Sequence, residues 1–230
     1  MDIMYTGFYD NTWFMLVLPA LFFSMYAQMK IKSTFSKYLQ VPSQTGLTGS
    51  QVARFILDKN GLYNVRVENV AGSLTDHYDP RTEVVRLSQN VYGGSSIAAV
   101  SVAAHEVGHA IQHANSYFPL SLRSALAPVA SFGSRLVWVF IFIGMIISPF
   151  FIDIGIALFL GVVLFQIVTL PVEFNASKRA LEQLEAGIID EESARGSKKV
   201  LNAAALTYVA ATIVALAELL RLLAIFNRKR

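Results

Sequence analysis

Long apolar runs constrain the fold of this 230-residue chain more than any other feature of its sequence. The run from Trp13 to Met29 carries no charged residue and is about as long as a helix that crosses a bilayer. Two further runs, Leu136 to Ile152 and Ile154 to Val172, are separated only by Ser148-Pro149 and Asp153 and predict a transmembrane hairpin. Only 15% of the residues are charged, against about 25% in soluble domains. The chain is therefore predicted to be a mainly α-helical membrane protein.

The charges beside the first run predict its orientation. Lys30, Lys32 and Lys37 follow it directly, and the positive-inside rule places such residues in the cytoplasm. Asp2 and Asp10 precede the run, where a signal peptide has basic residues, and no A-x-A cleavage site follows. We therefore predict an uncleaved first transmembrane helix, with its N-terminal end outside and the segment after it in the cytoplasm.

The same rule orients the hairpin. Arg123 and Arg135 precede it, whereas its tip carries no Lys or Arg. The tip is therefore predicted to lie outside, which returns Glu173, just after the hairpin, to the cytoplasmic side.

A fourth apolar run, Leu201 to Phe226, contains Glu218 and Arg221, which stand three residues apart and can pair on one helix face. If this run spans the membrane, the basic tail Asn227 to Arg230 lies outside, against the positive-inside rule. The run can instead lie along the inner surface. The sequence is therefore compatible with either three or four transmembrane helices.

Residues 41–130 combine helical and strand patterns. Val41 to Asn60 begins with turn residues and continues as a helix, for which Ser50 is a plausible N-cap. From Asn64 onward, apolar residues recur at roughly every second position, which is typical of half-buried strands. The predicted short strands are Val65–Val70, Leu74–Tyr78 and Thr82–Leu87. A turn at Asp79–Thr82 joins the last two. We expect them to form a small antiparallel β-sheet.

Ile97 to Ala114 is apolar nearly all round, which is typical of a helix buried on most faces. It nevertheless contains His105, Glu106 and His109. Polar groups on a buried helix cost free energy unless they have partners, and a metal ion is one such partner. Since the chain has no cysteine, its metal ligands can only be His, Asp or Glu.

The spacing of these residues is that of the H-E-x-x-H motif of zinc hydrolases. His105 and His109 are four residues apart and share a helix face, and Glu106 lies about 100° around the helix, in reach of a metal-bound water. His113 continues the spacing, but eight residues span about 12 Å of straight helix, too far for His105 and His113 to share one ion. We interpret His113 as a residue that packs within the fold or contacts a ligand without binding the metal itself.

Glu173 is the predicted third ligand. It follows Pro171, which suits the first turn of a new helix, and topology places it at the same membrane face as His105. The alternative is an exposed first-turn acid that the helix dipole favours.

Two separate motifs carry a family resemblance. His105-Glu106-Val107-Gly108-His109, with Glu173-Phe174-Asn175-Ala176-Ser177-Lys178-Arg179-Ala180, is similar to the integral-membrane gluzincins, the HtpX-like and CAAX prenyl endopeptidases. Asp76-His77-Tyr78-Asp79-Pro80-Arg81-Thr82 with Leu87-Ser88 makes the chain resemble more closely the YugP-like membrane zinc metalloproteases.

This resemblance implies one membrane-integrated metallopeptidase domain over residues 1–230, with a zincin-like helical core and one zinc ion. It implies zinc ligation by His105, His109 and Glu173, and Glu106 as the general base. The sequence departs from the gluzincins at Ser177, where they have an aspartate that orients a ligand imidazole.

Peptide hydrolysis also requires a donor that stabilises the oxyanion. His77 is the first candidate, and Tyr78 and Arg81 are the others, because all three lie on or near the predicted strands before the motif helix. An edge strand of the sheet can hold a substrate peptide by β-augmentation, although the sequence does not say which strand.

The leading hypothesis is a multi-pass cell-membrane zinc endopeptidase with a cytoplasmic site, acting on peptides or membrane proteins. The alternatives are a scaffold or adaptor that keeps the fold without useful turnover, and a zinc hydrolase of another amide. The intact Glu106 argues against the scaffold, and the strand signals favour a peptide substrate. The basic residues flank apolar runs, so no nucleic acid is expected as a partner.

Overall fold

A computed structural model describes residues 11–227 of the chain. The elements of this part are, in order, a π-helical turn (Trp13–Val17), α1 (Leu18–Leu39), α2 (Gly49–Lys59), β1 (Arg66–Val70), β2 (His77–Asp79), β3 (Val84–Ser88), α3 (Gln89–Tyr92), α4 (Ile97–Ala114), α5 (Phe118–Ile146), α6 (Pro149–Glu185) and α7 (Glu191–Asn227). They form two compact units. The apolar unit comprises residues 11–28, 122–170 and 207–227, and the mixed unit comprises residues 29–121 and 171–206.

Four helices are long and apolar enough to cross a membrane: Trp13–Leu39, Phe118–Ile146, Pro149–Glu185 and Glu191–Phe226. The fourth meets the same criteria of length and hydropathy as the other three, although it contains the ion pair between Glu218 and Arg221, at 2.7 Å. Four apolar helices are therefore candidates for spanning. Asp2, Asp10 and the basic residues at 228–230, which entered the topology prediction, lie outside the described residues.

The break between the two hairpin helices lies at Ser148 and Pro149, the first of the two predicted separators, and not at Asp153. Helix α5 ends at Ile146 and α6 begins at Pro149, so Asp153 lies within α6. Proline disfavours helical conformation in the residue before it but fits the first position of a helix. The Ser148 hydroxyl also accepts a hydrogen bond from the Phe150 amide at 3.4 Å. The break therefore falls where the local chemistry favours a helix start.

Within the apolar unit, helices meet through small apolar clusters. One of them joins Val137 and Ile141 of α5 to Leu222 of α7. Gly144 lies so close to the Ile152 backbone that an added Cβ would clash with it. Small residues at such contacts are typical of helix packing in membranes, where close backbone approach replaces the hydrophobic effect.

The core of the mixed unit lies between α2, α4 and the sheet. Helix α2 contributes Ile56 and Leu57, which are fully buried. Its N-cap is Thr48 rather than the predicted Ser50, because Thr48 and Gln51 form a reciprocal capping box. The difference is two residues, and the helix itself is where the sequence predicts it.

The sheet is mixed, so the prediction of an antiparallel sheet is wrong for one of its two strand pairs. The strand order is β1-β3-β2, with β1 and β3 parallel and β2 and β3 antiparallel. After β1 the chain crosses to the far edge of the sheet, where it forms β2. The tight turn after Asp79 then leads back into β3, which lies between β1 and β2. Strand β3 therefore runs in the same direction as β1.

The pleat assigns neighbouring residues of β2 to opposite faces of the sheet. Tyr78 pairs with Val85, which is fully buried, and packs against the core. Asp79 lies on the other face, where Arg86 contacts its carboxylate at 3.1 Å. His77 shares that face with Asp79 and is exposed.

Candidate metal centre

Helix α4 carries the H-E-x-x-H motif and begins and ends where the sequence predicts. Ser96 caps it, since its hydroxyl accepts a hydrogen bond from the Ala99 amide at 3.2 Å. The helix is buried along most of its length. At Gly108 a Cβ would lie 2.6 Å from the Ala176 carbonyl oxygen, so glycine allows α4 and α6 to approach closely beside His109.

Glu173 lies in the interior of α6, so the prediction that Pro171 starts a new helix is wrong. Proline removes one amide donor, but in a long apolar segment the backbone groups have no water to bond to, and the helix continues through it. The Glu173 side chain is almost fully buried in the mixed unit.

The structure brings His105, His109 and Glu173 together. Their ligand atoms lie within 4.8 Å of one another, so this group could hold a metal ion. Glu173 Oε2 is 3.2 Å from His105 Nε2 and 3.6 Å from His109 Nε2. Donors around a tetrahedral zinc with bonds near 2.0–2.1 Å are about 3.3 Å apart. Two imidazoles and one carboxylate are also a donor set of catalytic zinc sites, so both geometry and chemistry fit zinc.

Both imidazoles have neutral partners at their other ring nitrogen. Ser177 Oγ is 3.2 Å from His105 Nδ1, so the hydroxyl occupies the position where the gluzincins place an aspartate. Gln112 Oε1 is 3.0 Å from His109 Nδ1. The outer nitrogens are thus engaged, and each Nε2 points toward Glu173.

Acidic neighbours surround His109. Burial lowers the pKa of His109, but the neighbouring Glu173 carboxylate and the charge of Glu106 outweigh it, so the pKa lies above its usual value. The site therefore favours positive charge, which a divalent cation supplies as well as a proton does.

Glu106 projects from α4 beside the first ligand and is 8% exposed. Within the part of the chain that the structure describes, its carboxylate forms no hydrogen bond or ion pair with another side chain. Its oxygens are therefore available to accept a hydrogen bond from water.

His113 lies outside the three-residue cluster, as the helix-rise argument predicts. Its Nδ1 is 2.8 Å from the Tyr78 hydroxyl, which links α4 to strand β2. Burial, together with the charges of Glu83 and Asp79, raises the pKa of Tyr78 to about 12. His77 Nδ1 is 2.8 Å from the Thr75 carbonyl oxygen instead. The role of His77 stays a prediction, and Tyr78 is the residue of β2 whose side chain hydrogen-bonds to the motif helix.

Sequence reasoning missed Gln112, which is fully buried beside His109. The sequence signal for Gln112 was a polar residue three positions after His109, on a helix that is mostly apolar outside the motif. Its partners, the Val172 carbonyl and Asn175, are some 60 residues away in sequence and could not be found from spacing.

A group of two histidines and a glutamate that could hold a metal ion thus stands on a largely apolar helical protein with four candidate membrane spans. A family model described as "Putative neutral zinc metallopeptidase" matches residues 13–227, and the chain belongs to that family. It is also similar to the "Putative membrane protease YugP" of Bacillus subtilis (strain 168). The two are 52% identical over 217 residues, which cover 94% of this chain and 96% of the relative. The YugP-like resemblance is thus confirmed. No solved structure matches the chain.

Proposed function

We propose that this protein is a multi-pass membrane zinc endopeptidase, acting as one membrane-integrated domain. The observation that carries the proposal is the convergence of His105 Nε2, His109 Nε2 and Glu173 Oε2 within 4.8 Å. These three residues would hold one zinc ion, and Glu106 stands beside them on the motif helix. A scaffold without turnover would have no use for this carboxylate.

Bound zinc would supply an acidified water and a polarised scissile carbonyl. Glu106 accepts a proton from the water and later donates it to the leaving amine. Its nearly buried position keeps the carboxylate close to the reacting groups and limits competing water.

Tyr78 is the donor that we propose for the oxyanion, with His77 as the alternative from sequence. If His113 Nδ1–H donates to the Tyr78 oxygen, the phenolic O–H is free to donate to the carbonyl oxygen of the substrate. The pKa near 12 supports this role, because a phenol that keeps its proton remains a donor at physiological pH.

The substrate that suits this site is an extended peptide. Strand β2 is an edge of the sheet, pairs only with β3 among the described strands, and bears Tyr78. Its free edge offers backbone groups to an added strand, which holds a peptide by its main chain. We propose peptides or membrane proteins with unfolded segments on the cytoplasmic side as substrates.

Glu106→Gln tests the function directly. The variant should keep zinc, because Glu106 is not in the ligand cluster, and should lose nearly all hydrolysis of casein by the purified protein. Glu182→Gln is the matched control, since Glu182 is an exposed residue of α6 paired with Lys178, and it should keep full activity.

Zinc content and casein cleavage are measured on the same samples. Undiminished cleavage by Glu106→Gln would contradict the assignment of the base. Stoichiometric zinc without hydrolysis of casein or unfolded membrane proteins by the wild type would favour the scaffold. Cleavage of a small or lipid-linked amide instead would favour the other hydrolase.

A further inference from the structure

Gln112 is a buried polar residue whose side chain joins the motif helix α4 to α6 by hydrogen bonds. It lies on α4, three residues after His109, and is fully buried. A primary amide has two donor hydrogens and one acceptor oxygen, and burial without partners for them costs free energy. Its contacts therefore show what holds it in place.

The amide nitrogen of Gln112 is directed at two oxygens of α6. Nε2 donates to the Val172 carbonyl at 2.8 Å and to Asn175 Oδ1 at 3.0 Å. Arg179 Nε donates to the same Asn175 oxygen at 2.8 Å. Because a backbone carbonyl can only accept, the nitrogen of the amide must face Val172 and its oxygen must face His109.

This orientation determines the tautomer of His109. Oε1 of Gln112 can only accept, so the His109 Nδ1 that lies 3.0 Å away must carry the proton. A neutral imidazole with a proton on Nδ1 has its lone pair on Nε2, the nitrogen that faces Glu173. A backbone carbonyl of α6 thus determines, through the Gln112 amide, which nitrogen of His109 on α4 carries the lone pair.

The other ligand imidazole is not restricted in this way. Ser177, 3.2 Å from His105 Nδ1, has a hydroxyl that can donate or accept. It is therefore compatible with either tautomer of His105. The two ligands differ, and the tautomer of His109 is the one that the structure specifies.

We propose that Gln112 is a positioning residue that fixes the metal-binding tautomer of His109 and aligns that imidazole with Glu173. Val172 immediately precedes Glu173, so the same hydrogen bonds hold one ligand ring in register with the helix segment that bears the third ligand. This inference rests on the proposed zinc site and assigns to Gln112 no contact with the substrate.

Gln112→Met tests the proposal, because methionine has a similar length and volume but no acceptor for His109. Zinc affinity is measured on the purified full-length protein by competition with a chromogenic chelator. We expect a loss of about 10–100-fold, as for other residues that orient a metal ligand. Gln183→Met makes the same change on α6, ten residues after Glu173, and should leave the affinity unchanged.

Gln112→Glu is the second variant and separates tautomer control from packing. A protonated glutamic acid keeps both contacts, because one carboxyl oxygen can accept from His109 Nδ1–H while the O–H of the other donates to the Val172 carbonyl. This variant should retain affinity within about threefold of the wild type, above that of Gln112→Met. The visible spectrum of the Co²⁺-substituted protein should change in Gln112→Met and remain close to the wild type in Gln112→Glu.

Two results would overturn the proposal. Affinity of Gln112→Met within threefold of the wild type would show that the amide does not act on the ligand. Equal losses in both Gln112 variants would assign it a packing role, since only methionine lacks the acceptor. If the wild type itself bound no stoichiometric zinc, the proposed function would fail first, so the two failures are distinguishable.

Discussion

At the scale of single residues, the three histidines of α4 have different roles although their spacing is uniform. His105 and His109 face Glu173, whereas His113 contacts Tyr78. The difference follows from helix rise, because the eight residues from His105 to His113 span about 12 Å, beyond the reach of one ion. Spacing predicted which histidines can share a metal, and it could not predict what His113 contacts.

Removal of the third ligand should affect the metal far more than removal of His113. Glu173→Ala should lower zinc affinity by more than about 100-fold, since loss of a mere orienting partner already costs 10–100-fold. His113→Ala should keep stoichiometric zinc. Metal analysis of the two purified variants by mass spectrometry checks this. The reverse order would show that the ligand set is wrong.

Tyr78→Phe should lower kcat/KM by about 10²–10³, the usual effect of losing one oxyanion donor. With a pKa of about 12, Tyr78 is protonated throughout pH 6–10, so the loss should be the same at every pH in that range. The kcat/KM profile of casein-peptide hydrolysis is the measurement.

His77→Gln is the comparison, because His77 lies on the opposite face of β2. If His77→Gln caused the larger loss, the oxyanion donor would be His77 and not Tyr78. Disappearance of an alkaline limb in Tyr78→Phe would show that the phenol ionises below pH 10.

At the scale of elements, local sequence signals predicted the helices well and their ends less well. Helix α4 has the predicted bounds, because Ser96 is its cap and an apolar pattern follows. For α2 the nearby Ser50 looked equivalent to Thr48, and only the paired contact with Gln51 distinguishes them. Strand direction was not predictable, since the alternating pattern of β1 is the same in parallel and antiparallel pairs.

Thr48→Ala should destabilise the start of α2 by about 1 kcal/mol, because it removes the side chain that caps the helix. The amide of Gln51 should then exchange with solvent about fivefold faster in hydrogen-exchange experiments. Ser50→Ala is the matched control. Its hydroxyl contacts Thr48 Oγ1 and not the helix backbone, so its effect should be smaller. A larger effect for Ser50→Ala would restore the original N-cap prediction.

At the scale of the whole molecule, one helix carries both an apolar candidate span and a residue of the candidate metal centre. Helix α6 has a strongly apolar first part in the apolar unit and carries Glu173 in the mixed unit. The third ligand is therefore part of the same continuous helix as a candidate membrane span. The proposed cytoplasmic location of the site follows from the lysines after the first apolar run, and the chain offers a simple test of it.

The sequence contains no cysteine, so a single introduced cysteine is the only thiol of the protein that a maleimide can label. Ser73→Cys, in the exposed loop after β1, should resist a membrane-impermeant maleimide in intact cells and react after permeabilisation. Ile147→Cys, exposed between α5 and α6, should react in intact cells. Labelling in the opposite order would place the metal centre outside.

By itself, the sequence determined the apolar helical class of the chain, the motif helix and the residue types of the candidate ligands, because hydropathy and four-residue spacing are local properties of the chain. Only the tertiary structure decided that Glu173 joins His105 and His109, and that Gln112 bonds to Val172. These contacts join residues 60 to 70 positions apart, and they depend on how closely α4 and α6 approach at Gly108. Helix spacing is set by packing, which no local pattern encodes. The three-residue candidate metal centre is thus a property of the packed helices, although each candidate ligand is visible in the sequence.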